Sequence, residues 1–356
     1  MLSLYLHTPF CKQKCAYCAF FSTPAGESEK ERYADALCKA ILEAGKAENR
    51  PLGTLYFGGG TPALLGEARL KRVMKAVHNA FSLEEDAEIT VELNPESTTS
   101  ALLAVLKEMG VNRISLGVQS LWDEELKTLG RLHDRKGALA ALEQIFKAEF
   151  ANVSADVMFG LPGQTPESFT ATLDLLLSYP ITHLSSYSLQ LEEGTPLGES
   201  ASPMDEEQEE HLWHLLCDKA RAAGMEHYEI SNFAKPGFES RHNLAYWRRT
   251  DYIGLGPAAH SFWKGVRYSY PEDREAFCKA PWPLQNPIPI DAHEAWEETV
   301  MLGLRTFEGI PLSVLPQGFD PKKYIEFATV QNDRFILNEK GFYLSNAIIS
   351  DILTKE

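Results

Sequence analysis

The sequence lacks a positively charged opening segment followed by an apolar stretch of about 7–15 residues, so nothing in it reads as a secretory leader. No apolar run approaches the ~18 residues that a membrane span needs, which excludes a transmembrane helix. Basic runs are missing too. With 34 Lys and Arg against 50 Asp and Glu, the formal net charge is −16. Phosphate neutralisation by clustered cations has no source here, and nucleic acid is excluded as a partner. There is no G-x-x-x-x-G-K-[ST] phosphate loop, no low-complexity tract and no internal repeat beyond a strand–helix alternation. Cysteine is scarce: six in 356 residues. Reduced thiols in a chain without an export signal imply a cytoplasmic protein.

Three of those cysteines fall together, at Cys11, Cys15 and Cys18, in C-x3-C-x2-C spacing just past an apolar strand that stops at Pro9. The other three, Cys38, Cys217 and Cys278, are distant and unpatterned, and an odd cluster does not pair off as disulfides. Three thiolates in one loop suit a metal centre. A structural zinc would want a fourth protein ligand, for which His7 is the nearby candidate. An iron–sulfur cluster is usually held by four thiolates, so three would leave one iron open to a small molecule.

Downstream, apolar residues at helical spacing from Ser28 to Asn49 are followed by a β run at Thr54–Phe57 and by Gly58-Gly59-Gly60-Thr61-Pro62. Alternation then continues to a strand at His183–Leu189, making six βα units and hence a parallel sheet that curls into all or part of a barrel. In such folds the reacting groups sit at the C-terminal ends of strands. Cys11, the glycines with Thr61, Glu92, Gln119, Asp156 and Gln190 all fall there. Residues 236–290 are dense in Pro, Gly and aromatics, a composition that suggests a loop-rich wall over a pocket. The organisation expected is 1–192 for the barrel, 193–290 for a region completing it and covering the pocket, and 291–356 for a small domain with a hairpin over Arg334–Leu344.

The cysteine spacing, with an aromatic (Tyr17) before the last thiol, resembles the radical S-adenosylmethionine (SAM) superfamily. Tyr5-Leu6-His7-Thr8-Pro9-Phe10-Cys11, Gly58–Pro62, Val91–Pro95, Leu116–Ser120 and Asp156–Thr165 together resemble the oxygen-independent coproporphyrinogen oxidase superfamily over nearly the whole length. Within it, the chain is more similar to the HemW heme chaperones than to the HemN dehydrogenases. The dehydrogenase branch continues its motif to a fourth cysteine, where Phe20 stands here, and extends tens of residues ahead of the first strand, where this chain has four before Tyr5. The chaperone branch carries His-Asn-x-x-Tyr-Trp, here His242-Asn243-Leu244-Ala245-Tyr246-Trp247.

The resemblance implies an α/β fold, a partial (β/α)6 TIM-like barrel of the radical SAM type with a small C-terminal helical or winged domain. It implies a 4Fe-4S cluster on Cys11, Cys15 and Cys18, and SAM held by Tyr5, Gly59, Gly60, Thr61, Glu92, Gln119, Arg131 and Asp156. Arginine suits a bidentate pair with the methionine carboxylate, and the acids suit ribose hydroxyls and the α-ammonium group. For heme, imidazole is a natural axial ligand and flat aromatics suit a porphyrin, which points to His242, Tyr246 and Trp247. Apo-hemoproteins such as respiratory enzymes would receive the heme, and a flavodoxin- or ferredoxin-type protein would serve as reductant. The alternative implied by the same resemblance is a dehydrogenase in which a 5′-deoxyadenosyl radical attacks a propionate of coproporphyrinogen III.

Overall fold

In the computed structural model, which describes residues 1–354, six strands lie side by side in chain order: β1 (Leu2–Thr8), β2 (Leu52–Gly59), β3 (Leu83–Leu93), β4 (Arg113–Gln119), β5 (Asn152–Phe159) and β6 (His183–Ser188). Every neighbouring pair is parallel. Parallel strands need long crossovers. These carry α1 (Glu27–Ala47), α2 (Glu67–Ala80), α3 (Ser100–Glu108), α4 (Asp123–Thr128), α5 (Arg135–Lys147) and α6 (Pro166–Leu177). The helices form where apolar spacing and caps agree. In α1 the buried stripe is Tyr33, Leu37, Ala40, Ile41 and Ala44, and Thr165 with Ser168 forms a reciprocal cap ahead of Pro166 at the start of α6. This is the partial barrel that the alternation implies.

Both ends of the row are extended. After α7 (Pro196–Ser200) and α8 (Glu206–Ala222), the hairpin of β7 (Glu226–Glu229) and β8 (Asn232–Ala234) pairs antiparallel with β6. Then α9 (Arg241–Trp247) leads to β9 (Tyr252–Leu255), which pairs parallel with β1. Antiparallel β10 (His260–Trp263) and β11 (Val266–Ser269) follow, and after α10 (Arg274–Lys279) comes β12 (Ile288–Pro289). Residues 236–290 thus hold more regular structure than their composition suggests. The strands are two to four residues long, and pairing to the edge at β1 supplies what local propensity does not.

The C-terminal part has α11 (Ala292–Gly303), a sheet of β13 (Ile310–Pro311), β14 (Ala328–Gln331) and β15 (Arg334–Leu337), then α12 (Glu339–Tyr343) and α13 (Ser345–Leu353). Its hairpin lies earlier than expected. Asn332 and Asp333, both at positive φ (52° and 61°), turn β14 into β15. Asn338 instead caps α12, its side chain accepting from the Gly341 N–H at 3.0 Å.

Outward-facing residues of the barrel strands, such as Leu4, Leu55, Val91, Leu116 and Val157, are buried under the helices. The inward rows are polar. The pairing register sets Ser3 beside Thr54 and Glu88, Thr90 beside Arg113, Glu92 beside Ser115, and Asp156 beside Ser185. Helix α9 fills the interior below them. Glu88 accepts the backbone N–H groups of Arg241 and His242, each at 3.0 Å, and Ser240 caps the helix. Glu88→Ala leaves two N–H groups of the floor without an acceptor and is expected to cost on the order of 3 kcal/mol in urea unfolding. The exposed neighbour Glu85→Ala should stay within about 0.5 kcal/mol.

Candidate functional site

At the C-terminal ends of the strands a cavity of about 470 Å³ opens, running from the cysteine loop at its mouth to Arg113 and Asn243 at its floor. The loop is irregular because Pro9 ends β1, and it is tied down by backbone bonds: Thr23 N–H to Pro9 O at 3.0 Å, Ala16 N–H to Leu129 O at 2.9 Å and Leu197 N–H to Ala16 O at 2.9 Å. Tyr17 packs in a satellite apolar cluster with Leu129, Met158, Leu161 and Leu197. Cys11, Cys15 and Cys18 are free, half-buried and all line the cavity.

Among the described residues no three His, Cys, Asp or Glu side chains converge closely enough to hold one metal ion. A structural zinc on the three cysteines would take His7 as its fourth ligand. His7 is committed elsewhere, with Nδ1 at 3.1 Å from the Tyr5 hydroxyl and Nε2 at 3.0 Å from Phe21 O. The Cys11 Sγ lies 3.7 Å from the Thr61 hydroxyl, and Arg131 Nη1 donates to Cys15 Sγ at 3.5 Å.

Gly59 and Gly60 line the cavity, but the need for glycine is also one of packing. Gly59 has φ 102°, and an added Cβ would stand 2.7 Å from the His7 ring; at Gly60 it would stand 2.5 Å from Phe10 O. Arg131 is fixed by Asn94 Oδ1 at 2.6 Å and Gly117 O at 2.7 Å, while its buried Nε has no partner. Gln119 adopts φ 67° at a register shift between β4 and β5, a strained backbone that ends the strand and brings the residue to the cavity wall. Asp156 accepts from the Ser115 hydroxyl at 3.0 Å and from that of Ser154 at 3.3 Å; burial nonetheless pushes its carboxyl up.

Of the residues expected to hold SAM, Tyr5 alone does not line the cavity. It stands in the wall behind Gly58, beside Tyr56 at 6.0 Å between ring centroids. The heme candidates are not gathered there either. His242 is 1% exposed, stacks on Tyr56, and has both ring nitrogens engaged: Nδ1 with the Thr54 hydroxyl and Nε2 with the Tyr246 hydroxyl, each at 2.7 Å. Burial, aided by the charge of Arg113, lowers its pKa to about 3. An iron ligand needs a free nitrogen lone pair, so ligation would require one of these bonds to break and the floor to open. Trp247 packs against Tyr228, Ala234 and Leu244, and its indole reaches Glu229. Only Asn243 of the motif faces the cavity.

Residues missed by reading strand ends are Tyr56, Asn94, Arg113, Tyr187 and Asn243, all on the cavity wall. Several stand within strands at alternate, inward positions. Period-two polarity in strands covered by helices was the available signal, since such strands normally read as continuous apolar runs.

Glu92 accepts from the Tyr56 hydroxyl at 2.7 Å and from the Gly59 N–H at 3.2 Å. Burial first, and then the Asp156 charge, raise its pKa from 4.5 to about 7. A raised carboxyl stabilises the fold fully below the unfolded pKa, and that contribution is lost as pH rises through the folded one. Glu92→Gln should therefore gain stability relative to the parent between pH 5 and pH 8, by up to about 3 kcal/mol at ~1.4 kcal/mol per unit. Denaturation of the ligand-free protein at a series of pH values checks this; a difference independent of pH would sink it.

The sequence matches the radical SAM superfamily over residues 5–176. The heme chaperone HemW of Mycobacterium tuberculosis is 34% identical over 98% of this chain and 94% of that protein. That of Bacillus subtilis is 35% identical over 87% and 85%. Among solved structures, the radical SAM enzyme coproporphyrinogen III oxidase (HemN) of Escherichia coli superposes with a TM-score of 0.86 at 23% identity, covering 100% of this chain and 90% of that one, a likeness of fold. With a third of the residues identical over nearly the full length of both chains, the protein belongs to the HemW heme chaperone family of radical SAM proteins.

Proposed function

We propose that the protein is a heme chaperone that carries a 4Fe-4S cluster on Cys11, Cys15 and Cys18, binds SAM in the barrel cavity and passes heme to apo-hemoproteins such as respiratory enzymes. The observation that carries this reading is that three unpaired thiols and the polar wall of Arg131, Glu92, Gln119 and Asp156 line one cavity. Bound together and reduced, by a flavodoxin- or ferredoxin-type donor, cluster and SAM supply one-electron chemistry. The chain's own residues bind and orient. Arg131 offers its unpartnered Nε to the methionine carboxylate. Glu92 accepts from the α-ammonium group, Asp156 and Gln119 meet ribose hydroxyls, and Gly59, Gly60 and Thr61 let the backbone close on the ligand. Tyr5 supports the wall through Tyr56. Such a role suits the cytoplasm, among the proteins of porphyrin metabolism.

The test uses anaerobically reconstituted protein. Cys11→Ala, Cys15→Ala and Cys18→Ala combined should remove the ~400 nm absorbance and the iron and sulfide with it. Heme should bind with a new Soret band, while coproporphyrinogen III with SAM and reductant should yield no protoporphyrinogen above background. Product formation at stoichiometric level or above overturns the chaperone reading in favour of the dehydrogenase. His242→Ala should lower the melting temperature of heme-free protein, because it strands the Thr54 and Tyr246 hydroxyls. The Soret maximum moves only if the ring serves the iron, and it thereby decides the His242, Tyr246 and Trp247 assignment.

A further inference from the structure

Arg113 is the largest fully buried side chain among the described residues, 2% exposed, and it lies on the cavity floor. No described residue gives its guanidinium a hydrogen bond or a close ion pair, and its buried Nε is unpartnered. The acids around it are spent on other donors. Glu88 serves the backbone of α9, Asp156 serves Ser115 and Ser154, and Glu92 serves Tyr56 and Gly59. They favour the cation at a distance but do not satisfy its N–H groups. A desolvated guanidinium without direct partners costs several kcal/mol, a cost ordinarily met by a paired anion. Here the free N–H groups face a cavity with room for one.

Arg131 cannot share its ligand with Arg113. It touches Gly117 O, four residues further along β4, which is about 13 Å at ~3.3 Å per residue. A carboxylate held beside Cys15 is out of reach of the floor. The neighbouring acids select the anion: a dianionic phosphate would place two charges among Glu88, Glu92 and Asp156, whereas a carboxylate adds one and matches the planar fork of an arginine. We infer that the floor of the cavity, with Arg113 as donor and Asn243 in the same lining, is a second anion site that takes a carboxylate from a ligand other than SAM. It stands on geometry alone and does not need the heme reading. The carboxylate could be a propionate arm of a tetrapyrrole or a free small acid, and the experiment separates the two.

Reconstituted protein is melted with sodium propionate, with propionamide as neutral isostere, and with sodium chloride at equal ionic strength. The parent should be stabilised by propionate and not by the controls. Arg113→Met, which replaces an unpaired buried charge by apolar volume, should melt at or above the parent temperature without ligand, lose the propionate response and bind SAM within about twofold of the parent. Equal responses to propionate, propionamide and chloride in the parent overturn the site even if the variant fails to fold. So does a propionate response that survives in Arg113→Met, while a tenfold loss of SAM affinity would assign Arg113 to SAM itself. Heme against heme dimethyl ester identifies the source. A tenfold preference for the free acid that disappears in Arg113→Met places a propionate on the floor, and equal affinities assign the site to a small acid. Absence of any heme binding would refute the chaperone reading and leave the propionate result standing.

Discussion

A guanidinium enclosed by parallel strands acts, after burial itself, on the charge state of the titratable groups packed round it. His183 and His242 are lowered first by burial and then by the Arg113 charge, so both imidazoles stay neutral. As neutral rings they donate with one nitrogen and accept with the other, which is how His183 links Ser154 to Tyr228 and His242 links Thr54 to Tyr246. The same charge works against burial at Glu92 and Asp156. Glu88, the acid with the largest influence on Arg113, spends its oxygens on the first turn of α9. One buried cation thereby connects the barrel interior with the helix that closes it.

Barrels of this kind are commonly filled with branched apolar side chains. Here the apolar core has moved outward, into the layer between Leu4, Leu55, Val91, Leu116 and Val157 on the strands and the helices around them. That shift leaves the interior free for a polar chamber, but it also requires every hydroxyl and carboxyl inside to be matched, because an unmatched polar group at low dielectric is expensive. The chains of bonds through Ser115, Ser154, Ser185 and Asp156 meet part of this requirement, while the buried hydroxyls of Ser3 and Thr90 have no partner among the described residues. Arg113 and the Nε of Arg131 are buried cationic groups of the cavity left without a partner as well.

The fold was legible because strand–helix alternation is a local signal repeated six times, and strand ends were legible because such barrels place their chemistry there. The depth of the cavity was not. Arg113-Ile114-Ser115-Leu116-Gly117 alternates polar and apolar in a strand buried on both faces, a pattern that locates a polar interior once the crossovers are known to cover the outer face. Thr54, Tyr56, Thr90 and Glu92 follow the same rule. His242 illustrates the opposite difficulty. A histidine four residues before a tyrosine on a short helix has one sequence pattern whether its ring faces a ligand or the strands, and only the bond to Thr54, 188 residues away, settles the direction. For 236–290, composition argued against regular structure, yet Tyr252–Leu255 forms a strand because β1 presents an open edge to it.

The floor helix has a second attachment, and this limits how its motif can be interpreted. The Trp247 indole meets Glu229, which burial raises to about 8 and which is therefore mostly protonated near neutral pH. Around it, Phe307 N–H donates to Tyr228 O at 2.8 Å and Ile230 N–H to Arg305 O at 2.9 Å, so the turn that follows α11 is bridged antiparallel to the end of β7 at Glu229 and Thr306. The Tyr228 hydroxyl in turn accepts from Ser240 N–H, at the cap of α9. Asn243 on the cavity side, His242 in the barrel and Trp247 at the junction thus belong to one turn-and-a-half of helix held from three directions. A change at any of them alters the cavity floor and the C-terminal attachment together, so loss of ligand binding on its own does not identify a ligand-contacting residue there. Separating the two effects takes a reading of the bound ligand's own electronic state alongside one of the stability of the empty protein.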